Sequence, residues 1–142
     1  MLDGLIITHL KQISHPKGNI FHAMKSSDVG YSGFGEAYFS EVYFGEVKGW
    51  KKHTKMVLNL VVPVGKIKFV VYDDRTESST YGQFYQTELS ADNYCRLTVP
   101  QGVWLAFQGT GELRNLLLNL ASIPHDPNES EVKSLNDIKF EW

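Results

Sequence analysis

Two apolar runs, Met56 to Val62 and Ile67 to Tyr72, stand on either side of Pro63-Val64-Gly65-Lys66. Each is too short for a stable helix and rich in β-branched and aromatic residues, and the Pro and Gly between them punctuate a turn. Helical periodicity is nearly absent elsewhere. Short runs recur instead: Ile6–Leu10, Asn19–Met24, Glu36–Val47, Phe84–Leu89, Tyr94–Val99, Val103–Gln108 and Leu113–Leu120. Glu36–Val47 reads as a pair of strands or one bent strand, with Gly45 as a bulge. Many short strands separated by turn residues predict an all-β sandwich or barrel. No linker divides the 142 residues, so the expectation is one domain, 1–142. Beyond the polar stretch Pro124 to Glu131, Ile138, Phe140 and Trp142 are expected to dock back on the barrel.

Charge and cysteine content narrow the class of function. A formal net charge of −2 gives no drive toward nucleic acid or a membrane surface. The N-terminus has neither a basic region nor a long apolar run, which predicts no signal peptide and no membrane span. The single cysteine, Cys95, cannot form an internal disulfide, and the expected setting is the reducing cytoplasm. The histidines at 9, 15, 22, 53 and 125 are scattered, without an H-x-H or H-x-x-x-H pair, so neither metal nor other cofactor is expected.

A longer pattern carries more information than composition. It runs Asp73-Asp74-Arg75-Thr76-Glu77-Ser78-Ser79-Thr80-Tyr81-Gly82, then Leu89-Ser90-Ala91-Asp92-Asn93, then Pro100-Gln101-Gly102-Val103-Trp104. In order and spacing it resembles the dTDP-4-dehydrorhamnose 3,5-epimerase family, whose segments read D-x-R-x-x-S-P-T-Y-G, L-S-x-x-N and I-P-x-G-F-A-H-G-F. The resemblance extends over nearly the whole chain. It implies a double-stranded β-helix, the jelly-roll cupin barrel; a homodimer; and a nucleotide-diphosphate sugar as ligand. Met56 to Val62, apolar on both faces, is read as a buried central strand or as a dimer interface.

The family's functional residues carry over unevenly. Its G-V-x-R-G-L-H-x-Q segment is similar to Gly45-Glu46-Val47-Lys48-Gly49-Trp50-Lys51-Lys52-His53, which puts Lys48 at a phosphate-binding arginine and Lys51 at the general-base histidine. Its N-terminal arginine falls on Lys17. Leu105 replaces a second histidine, and the tyrosine acid falls on Leu118 or Asn119. Asp137 is a displaced counterpart of the aspartate that orients the base.

Lys48 to Lys55 is the densest cluster of functional groups and reads either as a solvated basic turn or as the lining of a barrel mouth. In the second case Lys17, Lys48 and Lys55 meet a diphosphate, with Arg75 also on the ligand, and Trp50 stacks on a base or sugar ring. His53 is the first catalytic candidate, because an imidazole titrates near neutrality. Lys51 is the second. The aromatics Tyr31, Tyr38, Phe39, Tyr43 and Phe44 are read mainly as barrel packing. The expected function is that of a sugar-nucleotide epimerase or isomerase acting on a nucleotide-linked 4-keto sugar in deoxysugar or surface-polysaccharide synthesis. The alternative is a non-catalytic member that binds a nucleotide sugar.

Overall fold

The computed structural model describes residues 1–142. Twelve strands form: β1 (Ile6–His9), β2 (Gln12–Ile13), β3 (Ile20–Phe21), β4 (Glu36–Glu41), β5 (Val47–His53), β6 (Leu58–Val64), β7 (Lys66–Tyr72), β8 (Phe84–Ser90), β9 (Cys95–Val99), β10 (Trp104–Gly109), β11 (Leu116–Ala121) and β12 (Ser130–Val132). Ten of them make two antiparallel five-stranded sheets, ordered β1-β9-β6-β11-β4 and β12-β5-β10-β7-β8, while β2 and β3 form a separate small hairpin. This is the jelly-roll cupin barrel. No helix is long and apolar enough to cross a membrane.

Alternation along the strands builds the interior. Leu58, Leu60, Val62, Leu97, Val99 and Leu117 of the first sheet meet Ile67, Phe69, Val71, Leu89 and Leu105 of the second in one buried cluster. Residues of the opposite parity on the second sheet make a smaller outer core, in which Trp50, Val70, Trp104 and Ala106 pack under Ile138, with Tyr72, Phe140 and Trp142 against them. The C-terminal segment thus docks where expected. Lys68 Nζ lies 5.7 Å and 5.4 Å from the ring centres of Phe140 and Trp142, adding cation–π attraction to that contact.

One expectation changes. Pro63 and Val64 extend β6 instead of turning, leaving Gly65 alone between β6 and β7. A strand proline needs a place where its missing N–H costs nothing. Pro63 has one, because β9 pairs only with Leu58–Leu60 and the ladder to β11 shifts register between Leu116 and Leu118. For Met56 to Val62, the buried central strand is the reading observed. Its outer face is covered by the same chain: Asn59 Nδ2 donates to Gly30 O at 3.0 Å. Arg96, fully buried, donates to Ala23 O, Asp28 Oδ2 and Val29 O at 2.7–3.1 Å. Gly30 is required there, since at φ +94° an added Cβ would sit 2.5 Å from Thr98 Oγ1. The apolar strand therefore needs no second subunit to cover it.

Candidate functional site

The Lys48–Lys55 segment is not a turn. Most of it is strand β5, held between β10 and β12. Opposite Ala106 the strand carries an extra residue, so Phe107 pairs with Lys48 while Leu105 pairs with Lys51. Gly49 makes this bulge feasible: an added Cβ would lie 2.4 Å from Ala106 Cβ, at φ +144°. The bulge resets the alternation. Lys48, Gly49, Lys51 and His53 line a cavity inside the barrel, whereas Trp50 and Lys52 lie on the outer face.

That cavity, about 230 Å³, is walled by Leu58, Leu60, Leu105, Phe107 and Leu117, with Tyr38, Ser40 and Asn119 opposite β5. His53, Lys51 and Lys48 line this one cavity. Lys48 Nζ reaches Ser40 Oγ at 3.4 Å.

His53 has a partner that the sequence did not suggest. Its Nδ1 hydrogen-bonds Glu129 Oε1. Glu129 is only 3% exposed, and its Oε2 accepts from the amides of Lys55 at 3.1 Å and Met56 at 3.3 Å. Strand β12 places it there by pairing Ser130 with His53, and Thr54 locks the corner by donating from N and Oγ1 to Glu129 O at 2.8 and 2.7 Å. Burial alone would raise the Glu129 pKa. The His53 hydrogen bond, the two amides and the His53 charge outweigh it, so the carboxyl lies below its ordinary value. An ionised carboxylate only accepts, so the shared hydrogen sits on His53 Nδ1. Nε2 is left as the nitrogen free for chemistry.

The remaining sequence-predicted residues lie elsewhere. Trp50, 0% exposed, donates from Nε1 to Ile138 O at 3.2 Å and packs against Trp142 with ring centres 6.0 Å apart. It is outer-core packing and cannot stack on a ligand in the cavity. Arg75 is bound to Asp73, donating from Nε and Nη2 at 2.8 Å each, and to Asp3 O at 2.6 Å. Buried Asp73 also accepts from Ser78 Oγ and Thr80 Oγ1, both at 2.6 Å. The most recognisable stretch of the sequence is therefore a fold-stabilising knot.

Lys55 is exposed at the end of β5 and Lys17 is exposed between β2 and β3; neither lines the cavity. Asp137 accepts from Ser134 N at 2.9 Å within its own turn, so Glu129, not Asp137, orients the histidine. Tyr38, expected as packing, is 44% exposed at the cavity rim. Its hydroxyl accepts a 3.1 Å hydrogen bond from Asn119 Nδ2. Leu118 and Asn119, the two positions open for the family's tyrosine, separate cleanly: Asn119 points inward and lines the cavity, whereas Leu118 does not.

Comparison with known proteins agrees with this architecture. The family model described as dTDP-4-dehydrorhamnose 3,5-epimerase matches residues 2–142. The spore coat polysaccharide biosynthesis protein SpsL of Bacillus subtilis is 25% identical over 146 residues, covering 100% of this chain and 97% of its own. The crystal structure of a dTDP sugar isomerase from Desulfovibrio desulfuricans G20 superposes with a TM-score of 0.91 at 40% identity, over 94% of this chain and 85% of that one. ChmJ, a 3'-monoepimerase from Streptomyces bikiniensis solved with dTDP-quinovose, shares the fold at a TM-score of 0.85 and 16% identity, over 92% of this chain and 70% of that one. With a family model matching nearly the whole chain and the barrel in agreement, the chain belongs to the dTDP-4-dehydrorhamnose 3,5-epimerase family of sugar-nucleotide epimerases.

Proposed function

We propose that the cavity binds a nucleotide-linked 4-keto sugar and moves a proton on a carbon beside the ketone. The observation that carries this reading is the His53–Glu129 pair opening on an apolar cavity that also holds Lys51. Deprotonation beside a ketone needs a positioned base and a group that receives the developing oxyanion. His53 Nε2 takes the proton, with Glu129 holding the ring and stabilising the imidazolium. The carbon's electron pair moves into a new C=C bond as the carbonyl becomes an enolate oxygen, and the Lys51 ammonium is one donor for that oxygen. Return of the proton to the same carbon from the opposite face epimerises it. Delivery of the proton to the former carbonyl carbon instead, with the hydroxyl proton of the first carbon passing to the enolate oxygen, makes the first carbon the new ketone and shifts the carbonyl.

Lys48 fits the diphosphate as a point charge. A place in deoxysugar or surface-polysaccharide synthesis follows from this chemistry and matches the role named for the Bacillus relative. A reducing, cytoplasmic setting suits Cys95, which is free and buried.

We also propose a homodimer, on different grounds from the apolar Met56–Val62 run. Ile13, Ile20 and Phe21 on the small hairpin, and Phe34 and Phe39 at the β4 edge of the first sheet, are exposed apolar groups. Sedimentation should give twice the 16.1 kDa chain mass at micromolar concentration; a monomer there contradicts the dimer.

The functional reading is tested by titrating the protein with dTDP- and UDP-linked 4-keto sugars in heavy water. Binding with C–H exchange supports it. Binding without exchange assigns the cavity to nucleotide-sugar recognition alone, and no binding overturns it.

A further inference from the structure

Within the otherwise apolar strand β11, Leu116-Leu117-Leu118-Asn119-Leu120-Ala121, one amide faces the barrel interior. Asn119 is 1% exposed, and its Nδ2 donates one hydrogen to the Tyr38 hydroxyl across the β11–β4 ladder, where the two residues are direct register partners. Its Oδ1 has no hydrogen-bond partner at all. Buried amide oxygens are almost always paired, and leaving one unpaired is costly. An orphan acceptor on a cavity wall is therefore a demand for a donor from whatever enters the cavity.

The same hydrogen bond fixes what Tyr38 offers. Its oxygen accepts from Asn119, so its own hydrogen is free to point away from the amide and act as a donor to a ligand. The pair presents one donor and one acceptor side by side. On the facing strand β5, Lys48 and Lys51 are donors only and the free His53 Nε2 is taken up by the proton transfer, so Asn119 Oδ1 is the acceptor left to recognise a ligand hydroxyl.

We propose that the Tyr38–Asn119 pair is a recognition element for an α-hydroxy ketone: Tyr38 O–H donates to the ketone oxygen and Asn119 Oδ1 accepts from the hydroxyl on the adjacent carbon. It rests on the sugar-nucleotide reading above and sharpens it, since it selects 4-keto sugars that carry a free 3-hydroxyl. Complementary polar pairing of this kind rejects an analogue lacking the hydroxyl far more strongly than an apolar wall does, because the site's own acceptor is then stranded.

The test compares dTDP-4-keto-6-deoxyglucose with its 3-deoxy counterpart by calorimetry. Wild-type protein is expected to bind the hydroxylated sugar on the order of 10–100-fold more tightly, the penalty of one stranded acceptor. Asn119→Leu should lose that preference by weakening only the hydroxylated ligand, whereas Tyr38→Phe should keep a preference while slowing C–H exchange. Equal affinity of the wild type for both sugars overturns the proposal and leaves the sugar-nucleotide reading intact. A preference that survives in Asn119→Leu overturns it as well. Binding of neither sugar overturns both. The wild-type comparison needs no variant, so a misfolded Asn119→Leu protein does not remove the test.

Discussion

Glu129 Oε1 hydrogen-bonds His53 Nδ1 from a position 76 residues further along the chain, behind the cavity wall that His53 itself lines. The pairing fixes the imidazole tautomer, since a carboxylate held below its ordinary pKa can only accept. Glu129→Gln preserves volume but presents an amide, whose NH2 group can hold the ring with Nδ1 as acceptor and Nε2 protonated. Exchange of the substrate's α-proton should then fall by about 10²–10⁴, the scale for losing a positioned base. Nucleotide-sugar affinity should change little, as read by calorimetry. An unaltered exchange rate would show that Glu129 is only structural.

Lys48 and Lys55 make a paired comparison. Lys48 lines the cavity, whereas Lys55 is exposed outside it. Lys48→Ala should weaken dTDP binding by about 1.5 kcal/mol, the lower end for a hydrogen bond to a charged group, because the site is open to solvent. The loss should shrink as salt rises. Lys55→Ala should leave the dissociation constant unchanged. The reverse pattern would place the diphosphate on the other end of β5.

Asp73 ties acid stability to the Asp73–Gly82 knot. The Arg75 guanidinium, helped by Ser78, Thr80 and the Arg75 amide and opposed by burial, holds its carboxyl far below the carboxylate range. A depressed pKa contributes stability that is complete above the unfolded value, near ~3.9, and is lost as pH falls from there toward the folded value. The wild type's stability against urea should therefore fall on acidification below about pH 4. Asp73→Asn should be less stable at pH 7 by about 2–3 kcal/mol, with a shallower decline in acid. Equal acid sensitivity of the two proteins would contradict this account.

The strand content was legible because period-two apolar runs report local geometry directly, whereas the jelly-roll arrangement was implied by the family resemblance, and the punctuation at Pro63-Val64 misplaced one turn. The C-terminal dock of Ile138, Phe140 and Trp142 was visible for the same reason: three apolar residues end an otherwise polar tail. The site was only half legible. His53 and Lys51 stood out as chemistry-bearing residues, but the bulge at Gly49 reversed the face of Trp50 and sent an apparent stacking residue to the outer core. No composition or spacing marks that shift, because it depends on Ala106 of another strand. Glu129 was missed since its role comes from β12 pairing with β5, a contact between distant segments. Arg75 misled in the opposite sense: the most recognisable motif is structural. The one available signal that went unused was Asn119, a lone amide inside an apolar strand, which by itself calls for a polar partner.

The central claim is that His53 is the base. Deuterium wash-in from heavy water into dTDP-4-keto-6-deoxyglucose, followed by proton NMR, measures it directly at each carbon beside the ketone. The wild-type protein should exchange a proton at one of these carbons. His53→Ala should abolish that exchange while still binding the nucleotide, and Lys51→Ala should slow it without abolishing it, since an enolate donor lowers the barrier but removes no proton. Exchange by His53→Ala at the wild-type rate would contradict the account.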